Sequence, residues 1–131
     1  MAAAQRVLRC LKGTKNLGII YRAKKHRSSH LDIFGFSDAN WAGDKNDRKS
    51  TTSYFFAIAY GPVSWTSHKQ STVALSTMEA EYMALSDASR EAIARFHLLE
   101  ELQLKPRTPL IASDNQRALT IAENPTNLST R

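Results

Sequence analysis

The chain has 131 residues, 42% hydrophobic and 23% charged, which suits one globular domain with a real core and excludes wholesale disorder. Cys10 is the only cysteine, so neither a disulfide framework nor a cysteine-based metal site can be built. The net charge of +6 is unevenly placed: residues 1–30 are +8 with no acid, leaving −2 for residues 31–131. A basic arm beside a mildly acidic body fits a polyanionic ligand, nucleic acid above all, against the alternative of a solvated leader with no partner. No stretch is long and apolar enough to span a bilayer, and no hydrophobic core precedes a cleavage site at the N-terminus. Both point to an intracellular protein, cytoplasmic or nuclear.

In chain order, Ala4 to Lys12 reads as a short amphipathic helix with Val7, Leu8 and Leu11 on one side and Gly13 as its stop. Leu17 to Tyr21 reads as a strand, and Arg22 to His30 as a basic loop in which Lys24, Lys25 and Arg27 are the expected nucleic-acid contacts. Leu31 to Ser37 alternates apolar with small or polar residues, the period of a half-buried strand, and ends at Asp38. Ala42 to Ser50 is a loop dense in Gly, Asp, Asn and Lys. Thr51 to Tyr60 is β-branched and aromatic, Gly61-Pro62 makes a turn, and Val63 to Ser67 returns, completing an antiparallel meander. The longest helix runs from Ser76 to about Leu104, where Pro106 and Pro109 break the pattern; Leu110 to Ser113 is a short strand and Asn115 to Glu123 a second helix. A meander, a helix and one more strand give an α/β fold: a mixed sheet with packed helices.

Three short words carry carboxylates at the ends of different elements: Ser37-Asp38-Ala39-Asn40-Trp41, Glu79-Ala80-Glu81-Tyr82 and Ser113-Asp114-Asn115-Gln116. Oxygen ligands of this kind suit Mg²⁺, which can activate water and stabilise a leaving oxygen in phosphodiester cleavage. Ser76-Thr77-Met78-Glu79 fits a capping box, giving Glu79 a structural task at the backbone N–H of Ser76. Met78, Tyr82, Leu85, Ala92, Phe96 and Leu99 form an apolar stripe; Glu81 lies roughly 50° from its centre and Glu79 roughly 110° away. Glu81 is therefore expected where helix meets sheet. Taken singly, Asp38 also suits a strand-ending turn, and Asp114 a cap for the helix at Asn115. Asp44 and Asp47 read as solvated loop acids. His26, His30, His68 and His97 share no metal-ligand spacing, and no nucleophile elbow or phosphate-binding glycine loop is present. Trp41 and Trp65 could stack on bases, but buried packing is the commoner use of tryptophan.

These words, in this order, resemble the ribonuclease H domain of copia-type (Ty1/copia) LTR-retrotransposon polyproteins over nearly the whole chain. Arg6 to Thr14 resembles the end of the tether joining reverse transcriptase to ribonuclease H, making residues 1–30 a connection segment and 31–131 the nuclease-like domain. Ser37 to Asp44 is similar to the family's first catalytic word. Asp47 to Tyr54 and Val63 to Gln70 are similar to its second and third strands, and Ser76 to Leu85 and Ser113 to Leu119 to its remaining catalytic words.

The resemblance implies a ribonuclease H-like sheet of order 3-2-1-4-5, with Asp38, Glu81 and Asp114 holding two Mg²⁺ or Mn²⁺ ions. The implied activity is cleavage of the RNA strand of an RNA–DNA hybrid during reverse transcription, beside a reverse transcriptase domain of the same polyprotein. Ser76, Thr77 and Gln116 would touch the hybrid, which is recognised by shape and 2′-OH contacts. Ala84 supplies the small residue expected three positions after Glu81. The chain departs from the pattern at Asn40, where relatives carry an acid, and at Ser53, where they carry glycine. After Asn124-Pro125 it reads to Arg131 without the words for strand 5, the fourth acid and the closing helix. That predicts an order of 3-2-1-4, an uncovered apolar sheet surface, some tendency to associate, and weakened chemistry. The alternatives are a catalytically dead remnant or binding module of the same fold and, further off, a transposase or integrase core.

Overall fold

The computed structural model of the protein describes residues 2–22 and 30–123. Helix α1 (Ala2–Thr14) is followed by strands β1 (Ile33–Asn40), β2 (Thr51–Ile58) and β3 (Gly61–Lys69), the long helix α2 (Thr77–Glu101), strand β4 (Leu110–Ala112) and helix α3 (Gln116–Glu123). The sheet has the order β3-β2-β1-β4. β1 pairs antiparallel with β2, β2 antiparallel with β3, and β4 parallel with β1. This is the α/β mixed sheet expected for these residues, in the expected strand order.

Period-2 alternation in β1 decides which side is covered. Ile33, Gly35, Ser37 and Ala39 are buried, while Phe34, Phe36, Asp38 and Asn40 are exposed. The covered side packs on α2 in two clusters: Ile33 and Phe56 with Ala88, Ala92 and Leu99, and Ala39 with Ala74, Ala80 and Ala84. Gly35 allows this closeness, because a Cβ there would sit 2.3 Å from the Phe56 ring.

Four expectations are corrected. Leu17 to Tyr21 is not a strand: Arg22 N–H donates to Ala59 O (2.9 Å) and the Tyr21 hydroxyl to Pro62 O (2.8 Å), so the segment lies against the β2–β3 hairpin tip instead of joining a ladder. The turn of that hairpin falls at Ala59-Tyr60, whose φ values of 52° and 64° are left-handed, and Gly61-Pro62 opens β3. A two-residue loop with both residues left-handed matches strand twist, which outweighs the usual preference for Asn or Gly there. Gly13 does not stop α1, which runs to Thr14; the helix buries none of its residues, and Val7, Leu8 and Leu11 are exposed. The turn-rich loop before β2 is tied down, since Asp44 and Asp47 both engage Lys69.

Candidate metal centre

β1 does not end at Asp38. It continues to Asn40, and Asp38 lies opposite Ser53 within the ladder. β4 is shorter than β1 and pairs only with Phe34, Gly35 and Phe36. Beyond Ala112 β4 no longer pairs with β1, and near that end of β1 the Ala39 N–H lies beside the Glu81 carboxylate, where it favours the charged form. Asp114 arrives two residues past the end of β4. It does not cap α3: Asn115 Oδ1 accepts from the backbone N–H groups of Arg117 and Ala118, both at 3.1 Å. With the cap supplied by its neighbour, the Asp114 carboxylate is left to face the same end of β1.

Glu81 comes from the first turns of α2. Ser76 is the N-cap, its Oγ accepting from Glu79 N–H at 3.1 Å. Glu79 reaches back one residue further than a standard capping box and accepts from Leu75 N–H at 2.7 Å, so its carboxylate is used in the cap. Glu81 is 4% exposed. The inner face of α2 is Ala80, Glu81, Ala84, Leu85, Ala88, Ala92 and Leu99. This corrects the expected stripe, because Tyr82 is exposed while alanines take the contact. Gly35, Ser37 and Ala39 make the facing sheet surface shallow, and only small side chains let a helix come close to it.

One carboxylate oxygen from each of Asp38, Glu81 and Asp114 lies within 4.8 Å of the others. No described lysine, arginine or histidine forms an ion pair with any of the three. Burial pushes the Glu81 carboxyl above the ordinary carboxylate range; the Ala39 N–H opposes this, and the charges of Asp38 and Asp114 add to it. Glu81 Oε2 is buried without a hydrogen-bond partner. A buried carboxylate with an orphaned oxygen and two like charges beside it is costly unless a cation compensates it. All the donor atoms are hard oxygens, so the residues present fit Mg²⁺ or Mn²⁺.

The other expected site residues are more scattered in role. Ser76 and Thr77 stand at the start of α2 and Gln116 at the start of α3, the two helix starts that border the acids. Lys24, Lys25 and Arg27 lie outside the described residues. Trp41 and Trp65 are 43% and 64% exposed, against the expectation of buried packing; Trp41 Nε1 donates to Ala74 O at 3.1 Å and ties the approach to α2 to the end of β1. Asp44 and Asp47, read as merely solvated, clamp Lys69, and the Lys69 contact holds the Asp44 carboxyl below its usual range. Gln70 carries no motif that marks it in the sequence beyond the end of the β3 word; in the fold it is buried beside the α2 turn that carries Glu81.

No protein-family profile matches the chain, and no solved structure matches it. Among curated proteins it is 48% identical over 91 residues to Secreted RxLR effector protein 161 of Plasmopara viticola, a match covering 70% of this chain and 61% of that protein. It is 36% identical over 122 residues to the Retrovirus-related Pol polyprotein from transposon TNT 1-94 of Nicotiana tabacum, covering 93% of this chain and 9% of the polyprotein. To the Retrovirus-related Pol polyprotein from transposon RE1 of Arabidopsis thaliana it is 39% identical over 126 residues, covering 95% of this chain and 8% of the polyprotein. The chain is thus similar, along nearly its whole length, to one short region of retrovirus-related Pol polyproteins from transposons.

Proposed function

We propose that the chain is the ribonuclease H region of a copia-type retrotransposon polyprotein, hydrolysing the RNA strand of RNA–DNA hybrids with the help of divalent metal. The observation that carries this reading is the convergence of Asp38, Glu81 and Asp114 from β1, α2 and the β4–α3 junction, with one Glu81 oxygen lacking a partner. The strand order and the similarity to Pol polyproteins support it. Asp38, Glu81 and Asp114 would hold Mg²⁺ or Mn²⁺. Such ions, when bound, lower the pKa of a water and offset the charge that develops on a phosphate under attack.

The chain's own groups have distinct tasks in this reading. Asp38 and Asp114 are exposed, so their carboxylates meet the scissile phosphate from solvent. Glu81 anchors the cluster from the buried side, beneath α2. The starts of α2 and α3, with Ser76, Thr77 and Gln116, border the opening and are suited to contact a hybrid backbone. The basic segment before β1 would hold more distant phosphates, and a reverse transcriptase domain would be its neighbour in a polyprotein.

A second reading is a hybrid-binding module without turnover. Incubation of a labelled RNA–DNA hybrid with the chain and Mg²⁺ or Mn²⁺ separates the two. Nuclease function requires cutting of the RNA strand only, at least about 100-fold slower in Asp38→Asn, and none of duplex DNA. Binding of the hybrid by folded protein without cutting would establish the module; neither binding nor cutting would sink both readings.

A further inference from the structure

Gln70 follows the last residue of β3 and turns its side chain inward, where it is 4% exposed. Its backbone N–H donates to Ser50 O at 2.8 Å. Its side-chain Nε2 makes two hydrogen bonds of 3.0 Å each, to Thr52 Oγ1 and to the backbone carbonyl of Ala80. Thr52 and Ala80 are both fully buried. Thr52 lies opposite Ala39 in the ladder, and the Ala39 N–H is close enough to the Glu81 carboxylate to favour its charged form. One amide group thus joins the end of β3, the start of β2 and the peptide unit immediately before Glu81.

A helix carbonyl in the first turn already accepts the N–H four residues on, and its second lone pair is normally left to water. At Ala80 water is excluded, and Gln70 supplies the second donor. The link is directional: the Ala80 carbonyl belongs to the peptide that leads into Glu81, so its orientation sets the direction in which Glu81 leaves the helix. Apolar packing of Ala80 and Ala84 can hold α2 against the sheet, but methyl groups do not fix rotation about the helix axis. A hydrogen bond to a single carbonyl does.

We propose that Gln70 is a positioning residue for the metal centre, setting Glu81 in reach of Asp38 and Asp114 through its hydrogen bond to the Ala80 carbonyl. The proposal rests on the reading of the three acids as a metal site. Partners that orient a metal ligand typically contribute about 10- to 100-fold to affinity, and the lower end applies here because Gln70 acts through one backbone group.

The test is Mn²⁺ titration of the whole chain, alongside thermal unfolding without metal, for the wild type and the variants Glu81→Gln, Gln70→Leu, Gln70→His and Thr52→Val. Gln70→Leu should weaken Mn²⁺ binding about 10-fold, and Gln70→His, which can place a ring N–H near the same point, should recover part of that loss. Thr52→Val removes the other partner of the amide and should cost stability while leaving Mn²⁺ affinity near that of the wild type. If Gln70→Leu does not fold, Gln70→His and Thr52→Val carry the comparison: affinity intermediate in the first and unchanged in the second supports the proposal. Loss of affinity that simply tracks loss of stability in all three variants would overturn it. So would wild-type affinity in folded Gln70→Leu while Glu81→Gln has lost binding, and that result leaves the metal site standing. Absence of Mn²⁺ binding by the folded wild type sinks the metal reading itself.

Discussion

Phe55 and Phe56 are neighbours in β2, yet they live in different environments. Phe56 is fully buried between the sheet and α2, whereas Phe55 is 37% exposed on the opposite side with Phe36 and Trp65. On the covered side, Gly35 and the alanines of α2 bring helix and sheet into close contact. On the open side no described helix lies over the sheet, and the aromatic rings pack on one another, Phe34 against Phe36 at 4.8 Å between centroids. Asp38 and Glu81 reach the candidate centre from these two sides, Asp38 in line with the exposed rings and Glu81 from beneath α2. The lesson is that the centre stands at a boundary: one side supplies rigidity, and the other supplies access.

The sharpest way to break this contrast is to truncate the two rings separately. Phe56→Ala should destabilise by about 3–5 kcal/mol, as expected for emptying a buried ring site, while Phe55→Ala should cost about 1 kcal/mol or less. Urea unfolding of both variants checks it, and equal losses would mean that the open side is covered in solution. Gly35→Ala comes next. Its Cβ has no room beside the Phe56 ring, so a loss of about 1–3 kcal/mol is expected from overpacking, and Phe56→Leu in the same chain should return part of it.

A smaller effect concerns charge. The folded protein holds the Glu81 proton at pH values where an unfolded chain has released it. Without metal, stability should therefore fall as pH rises from the ordinary carboxylate range through the raised Glu81 value, then level off. Glu81→Gln should flatten that slope, and thermal melts across pH 4–8 with a chelator present would read it (about pH 4–8 brackets the carboxylate window). Saturating Mg²⁺ should oppose the slope, since a cation favours the ionised carboxylate; a slope unchanged by both the substitution and the metal would count against Glu81 as the titrating group.

Much of the fold was legible where local chemistry is decisive. The alternation from Ile33 to Ser37, the β-branched run of β2 and the Ser76 cap each follow from one segment's own preferences. The three acids were legible as separate residues at element ends, and Glu81 was separable from Glu79 by helix angle alone. Misreadings occurred where a distant partner intervened. Tyr21 and Arg22 bind the β2–β3 hairpin, so an apolar run that suits a strand joins none. Tyr82 has the right helical angle, yet the shallow sheet surface at Gly35 and Ala39 selects alanine.

By itself, the sequence determined the three helices and the four strands of the sheet, the basic leading segment and the residue types able to hold a divalent cation, because these depend on periodicity, capping and side-chain chemistry close along the chain. Only the tertiary structure decided that β4 pairs with β1 no further than Phe36, that Asp38, Glu81 and Asp114 come together, and that Gln70 fastens the Ala80 carbonyl. Each of those outcomes involves groups far apart in sequence, and it is settled only when the packed chain brings them to the same place.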